Sequence, residues 1–396
     1  MKAGGWPSIL MAYVFGVLTV ASLVVMVPLQ GDFTQRLGMS VGEYGVLIGL
    51  IGIPAAALAT LSGSLVDRLG PRTMLIASAL ICAVPNFLYS ILPDDALFLP
   101  LRLIEGVGLS ITLAAGPAFI MRTTTGKRQV AAMTFWSTAT PAAISIGMVV
   151  GGAFAGTENW RGAFQLYAAA LVAIALGGLL LPRLDRIQQG SLAISAHLHA
   201  LIAGYRQPGA VKLGLQLFLL ASTSLGLNAI LPTYLSETHG VSITAASSLI
   251  AGANLAMMAG AVLLGVLMTR GVAPRYLLAG LAVCAIAFAT AILSPGTPIG
   301  AVAIVFAGWS LMVGAAQGMV FVILPRVADP AAPGLATGVI NQLASLATFV
   351  APMIFLAALP LGWQLVVLVI GVAWLVALAL LWTLRQVTAK AELAAL

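Results

Sequence analysis

Tyr276 to Pro325 reads YLLAGLAVCAIAFATAILSPGTPIGAVAIVFAGWSLMVGAAQGMVFVILP, fifty residues without one charged side chain. A helix needs roughly 20 apolar residues to cross the hydrocarbon core of a bilayer. The stretch therefore holds two crossings and a tight turn near Ser294–Pro298. A second uncharged run, 55 residues between Asp329 and Arg385, has the same capacity. Neither run alternates polar and apolar residues, which excludes lipid-facing barrel strands. Working outward, the 396 residues are 61% hydrophobic and 7% charged. A soluble domain carries about 25% charged residues, so a water-soluble core is excluded. The mean hydropathy of +1.09 fits a polytopic helical membrane protein.

Twelve spans are expected, at about 7–29, 44–65, 73–93, 96–121, 130–154, 163–182, 211–235, 243–268, 275–294, 298–324, 334–356 and 362–384. The chain then divides into a six-helix bundle at 1–182, a linker at 183–210 and a second bundle at 211–396. The first apolar segment is a full span with no small-residue cleavage site clearly following, so it is expected to stay in the chain. Lys and Arg fix the orientation. With the N-terminus in the cytoplasm, fifteen of the 18 lie on the cytoplasmic side. Only Arg36 and Arg161 lie outside, and Arg102 falls within a span. Both termini are then cytoplasmic in the cell (inner) membrane. The net charge of +7 reads as topology and contact with anionic lipid, not nucleic-acid binding.

The halves repeat. Leu37-Gly38-Met39-Ser40-Val41 resembles His239-Gly240-Val241-Ser242-Ile243 at an offset of 202 residues. Gly63/Gly265, Cys82/Cys284 and Gly106/Gly308 share that offset. Several matches in order at one offset indicate a duplicated six-span unit. An even number of spans makes the two copies parallel, and such pairs hold a solute site between the halves. Spans three, six, nine and twelve are expected outermost, against lipid.

Gly63-Ser64-Leu65-Val66-Asp67-Arg68-Leu69-Gly70-Pro71-Arg72 falls between spans two and three. Asp67 ends a helix whose dipole repels it, so it needs a positive partner: Arg68, Arg72 or a helix N-terminus. The stretch resembles the glycine-x-leucine-x-aspartate-arginine-x-glycine-x-arginine loop of the major facilitator superfamily, in the loop where that family carries it. The resemblance implies that Gly63, Asp67, Arg68, Gly70 and Arg72 form a gating motif, with Asp67 meeting span eleven. The second copy has Thr269 in place of the aspartate. Leu101-Arg102-Leu103-Ile104-Glu105-Gly106-Val107-Gly108 in span four resembles the family's arginine-x-x-glutamine-glycine-x-glycine motif, with Glu105 where glutamine is usual. Arg102 and Glu105 are i, i+3 neighbours. Charges at that depth are costly and mark function, so this pair is the candidate for proton coupling, with Arg102 also a solute contact. Gly147-Met148-Val149-Val150-Gly151-Gly152 in span five resembles the antiporter motif, with Met148 in place of proline.

Candidate solute contacts are polar side chains within spans: Thr19, Ser22, Trp136, Thr140, Gln216, Thr223, Ser224, Asn228, Trp309 and Gln317. Asn341, Ser345 and Thr348 add a helical stripe on span eleven. The same groups can equally join helices. Asp32 and Glu43 are expected on the outer surface. His197 and His199 fall in the linker two residues apart and suggest no metal site. With two cysteines, both in apolar runs, a disulfide framework is excluded.

No phosphate-cradling loop, metal set or Ser/His/Asp constellation is visible, so no cofactor is expected and the chain is not read as an enzyme. The expected function is secondary active transport of a small organic solute by alternating access, coupled to protons, by a monomer. A drug or metabolite efflux antiporter is the first alternative. A non-transporting receptor or a lipid flippase on the same fold is the alternative of another class.

Overall fold

The computed structural model describes residues 1–184, 202–269, 272–327 and 333–384. The described chain is helical and divides into two compact units, Met1–His197 and Leu198–Leu396. The first unit holds α1 (Trp6–Ala21), α2 (Gln30–Arg36), α3 (Val41–Gly49), α4 (Gly52–Ala57), α5 (Ala59–Leu69) and α6 (Pro71–Ile91). It continues with α7 (Phe98–Thr123), α8 (Gly126–Ser137), α9 (Ala139–Phe154) and α10 (Gly162–Gly177). The second unit holds α11 (Pro208–His239), α12 (Ile243–Thr269), α13 (Pro274–Leu293), α14 (Ile299–Val327), α15 (Pro333–Ala358) and α16 (Trp363–Trp382). Most of the expected linker lies outside the described residues, together with His197 and His199.

The duplication read from sequence reappears as packing. In the first unit α1 packs on α9, α6 on α7 and α10, and α4 and α5 on α7. In the second, α11 packs on α15, α13 on α14 and α16, and α12 on α14. These are the same pairings, span for span. Gly38 and Gly240, matched at the repeat offset, both adopt positive φ, 73° and 67°. Only glycine takes that backbone without strain.

Nine described helices are long and apolar enough to cross a membrane, and α3–α4 with α5 forms a tenth, bent by 65°. The other two expected spans appear as α1 and α9, apolar but 16 residues each. At 1.5 Å per residue either is about 24 Å long, short of the roughly 30 Å hydrocarbon core. So spans one, two and five are not the continuous helices expected. Each has an interruption just upstream of a proline, 22–26 before Pro28, 50–51 before Pro54 and Thr138 before Pro141, and span two bends a second time at Leu58, past Pro54. Proline lacks the N–H that would close the turn behind it. Pro85, Pro117, Pro232 and Pro352 nevertheless lie inside unbroken helices. Proline permits a break but does not compel one.

Large apolar side chains are exposed in helical rows: Leu80, Val84, Phe87 and Ile91 on α6, and Leu368, Val372, Leu375 and Val376 on α16. Such rows would not persist against water and suit lipid. Cys82, on the same α6, faces the other way. It is buried against Gly108, while Cys284 is exposed. Asp32 departs from expectation: it is 4% exposed and not a surface group. Its Oδ2 accepts from the Gly156 N–H at 2.9 Å and its Oδ1 faces Arg36 Nε at 3.2 Å. Burial pushes its carboxyl pKa up, opposed by the Gly156 N–H and by Arg36. Glu43 is exposed as expected and closes a capping box with Ser40.

Candidate functional site

Arg102 and Glu105 lie in α7, one turn apart, and both side chains are fully buried. Arg102 Nη1 meets Glu105 Oε2 at 2.8 Å. The other guanidinium donors reach backbone carbonyls. Nη1 donates to Ser22 O at 2.7 Å, and Nη2 to Leu23 O at 3.3 Å and Ile48 O at 3.1 Å. Nε donates to Leu47 O at 3.2 Å. Five N–H groups thus have five acceptors, the full capacity of a guanidinium. Ser22 and Leu23 follow the end of α1, and Leu47 and Ile48 precede the break at 50–51. One side chain therefore binds the broken backbone of two spans. Carbonyls exposed by a break would otherwise be costly away from water.

Glu105 is held from α6 as well. Asn86 Nδ2 donates to Oε1 at 2.6 Å and Tyr89 Oη to Oε2 at 3.2 Å. Cys82 Sγ donates to the Glu105 carbonyl at 3.6 Å. Positions 82, 86 and 89 share one helix face at i, i+4 and i+7. Charge-based reading of the sequence passes over them. The amide at Asn86 within an apolar span is the signal that could have drawn notice.

The glycines after the pair set its surroundings. A Cβ on Gly106 would stand 2.5 Å from Ile51 O, at the span-two break, and one on Gly108 would stand 2.4 Å from Cys82 Sγ. In span five, a Cβ on Gly147 would meet Val24 Cγ2 at 2.5 Å, and one on Gly151 would meet Val25 O at 2.2 Å. The glycine-rich stretches of spans four and five thus let α7 and α9 press against the broken backbones of spans two and one. Tyr44 Oη, from α3, donates to Met26 O at 2.7 Å across the same region.

The other candidates are distributed as follows. Trp136 does not line open space along its benzo edge. That edge lies between α1 and α7, where Cβ atoms on Gly16 and Gly116 would stand 2.6 Å and 2.0 Å from Cη2. Thr140 is exposed. Asp67 pairs with Arg122, at the end of α7, within its own unit. Of the rest of its motif, Arg72 Nη2 donates to Leu179 O at 2.7 Å and Gly70 turns the chain at φ 85°. Nothing within 4 Å would meet a Cβ on Gly63. In the second unit, Asn228 Oδ1 accepts from Asn254 Nδ2 at 2.8 Å, joining α11 to α12, and both amides are buried. Thr223 Oγ1 and Asn228 Nδ2 donate to the Leu220 and Ser224 carbonyls of their own helix. Trp309 is buried edge-on to Trp374, centroids 5.9 Å apart, joining α14 to α16. Gln317, Ser345 and Thr348 are partly buried and Asn341 is exposed. Gln216 is fully buried, and neither its oxygen nor its nitrogen has a hydrogen-bond partner among the described residues.

The family model described as Major Facilitator Superfamily matches residues 9–352. A "Multidrug resistance protein 2" of Bacillus subtilis (strain 168) is 26% identical over 149 residues, 38% of this chain and 37% of that protein. The chain thus spans little more than a third of the length of that relative. A solved bacterial homologue of the human lysosomal transporter Spinster, inward-facing and unoccupied, superposes with a TM-score of 0.78. It is 16% identical and covers 99% of both chains. A D-xylose-proton symporter superposes with a TM-score of 0.69, at 18% identity, over 95% of this chain and 96% of that one.

Proposed function

The chain belongs to the Major Facilitator Superfamily, and from that premise we infer that it moves a small organic solute across the inner membrane by alternating access, driven by protons. Secondary transport is the family's work, and no nucleotide-binding motif stands in the sequence. The observation that carries the proton reading is the sealed Arg102–Glu105 pair. Glu105 is the one acid set deep within a span. Its charge balances the cation that holds the breaks of spans one and two. A proton on Glu105 turns the carboxylate into a neutral acid and leaves Arg102 without a counter-charge. The grip of Arg102 on the four carbonyls and the geometry of the breaks then depend on protonation. That gives a proton a mechanical route to the helices that must move. Asp67 and Arg122, with Arg68 and Arg72, form the latch of the loop between α5 and α6. The two halves work as parallel bundles, both termini facing the cytoplasm.

The test is Glu105→Gln in full-length protein reconstituted into liposomes. The variant is expected to lose accumulation driven by a pH gradient and to keep exchange down a solute gradient. A variant that still concentrates solute when only a pH difference is imposed overturns the reading. Export in exchange for protons is a second reading. It is favoured by the glycines of spans four and five and by the multidrug-resistance protein among the relatives.

A further inference from the structure

We propose that the transported solute is uncharged: a compact molecule with an apolar body and one or two neutral hydrogen-bonding groups of the amide, carbonyl or hydroxyl kind. This rests on the transport reading above and names its substrate class.

A charged solute entering a dry cavity needs a counter-charge that can turn toward it. The described spans offer none at depth. Every Arg102 donor is engaged, four of its five bonds go to backbone, and its side chain is fully buried. Protonation of Glu105 releases one Arg102 bond of the five, and a solute anion would still have to strip the carbonyls of two helix breaks. Neither Glu105 oxygen is free for a solute cation: Asn86 takes one, Arg102 and Tyr89 the other. The remaining charges stand at helix ends or in loops, as Lys212 does one turn into α11, where it donates to Thr383 O at 3.2 Å.

What the spans do hold unspent is neutral. Thr19 and Ser22 in span one, with Ser247 and Ser310 in the second unit, are buried with unpartnered hydroxyl oxygens. A helical hydroxyl is readily satisfied by a carbonyl one turn back, so these carry little weight alone. Gln216 differs. Its amide offers two donors and an acceptor oxygen, is fully buried and meets no partner among the described residues. A buried amide that no protein group pairs is disfavoured enough that a complementary neutral group is expected to meet it during the cycle. An amide or hydroxyl supplies the match without bringing a charge that nothing in the spans would balance.

The experiment uses the full chain in liposomes, with protein-free vesicles subtracted for leak. The probes are size-matched aromatic compounds on common scaffolds, each made as a primary amide, a protonated amine and a carboxylate. Gradient-driven flux of the amide is expected to exceed that of both charged counterparts by at least about tenfold. Gln216→Leu is expected to lower flux of the amide probe while its thermal melt stays at or above the parent's. A cation or anion moved as fast as its amide counterpart overturns the inference and leaves transport standing. So does an amide flux that is unchanged in Gln216→Leu. If no probe of any charge moves with or without a gradient, the transport reading fails, and this inference with it.

Discussion

Replacing Arg102 by lysine keeps the charge and removes the fork. Lysine has three donors where arginine has five, so at least two of the five bonds to Glu105 and to the Ser22, Leu23, Leu47 and Ile48 carbonyls are lost. A bond with a charged partner contributes about 1.5–3 kcal/mol. Two such losses amount to roughly 3–6 kcal/mol, and since each 1.4 kcal/mol is a factor of ten, opening at the breaks should rise by at least about a hundredfold. Hydrogen exchange followed by mass spectrometry reads this directly. Peptides covering 21–29 and 46–54 should lose protection, while peptides in α13 and α16, which Arg102 does not touch, should not change. Transport should slow with them. Unchanged exchange at both breaks in Arg102→Lys would refute the view that one guanidinium holds spans one and two together.

Gly116→Ala places a methyl where the Trp136 ring now lies. Overpacking of this kind costs about 1–3 kcal/mol, and Trp136→Leu in the same chain should restore the melt; a melt equal to the parent in Gly116→Ala alone counts against the ring's seat. Asp67→Asn and Arg122→Gln should each slow flux, and the double variant should be no slower than either. Additive losses would show that the pair does not act as a unit. Its stability contribution should stay under about 1 kcal/mol, because the Asp67 side chain is 42% exposed. The Ser40 hydroxyl and N–H hold Glu43 below its ordinary value of 4.5. Support for the start of α3 is therefore present above that value and lost as pH falls through the lower folded value. A carboxyl NMR titration should give a midpoint below 4.5 that returns toward it in Ser40→Ala; a midpoint at 4.5 or above in the parent overturns the cap.

The sequence by itself determined the solvent. Fifty uncharged residues in a row admit a bilayer and nothing else, and the matches at offset 202 determined that one unit is used twice. Gly38 with Gly240 shows how far that reached, down to a shared backbone conformation. The sequence also singled out Arg102 and Glu105, because charge within a span is conspicuous. What it left open was whom they touch. Spacing describes neighbours along one helix, so it linked Arg102 to Glu105 and missed Asn86 and Tyr89 on α6. For the same reason Asp67 was matched to its own loop and, by resemblance, to span eleven, and Arg122, at the far end of span four, with which it pairs inside the first unit, went unnamed. The expected spans one, two and five were drawn as unbroken because hydropathy counts apolar residues and is blind to backbone hydrogen bonds. Prolines well inside the spans carry the same local defect, yet breaks follow at Pro28, Pro54 and Pro141 and not at Pro85, Pro117, Pro232 or Pro352. At two of the three breaks the tertiary structure supplies a buried cation for nearby carbonyls. A backbone carbonyl in a membrane must find a donor, and whether one is within reach is decided by the fold, not by the residues beside it.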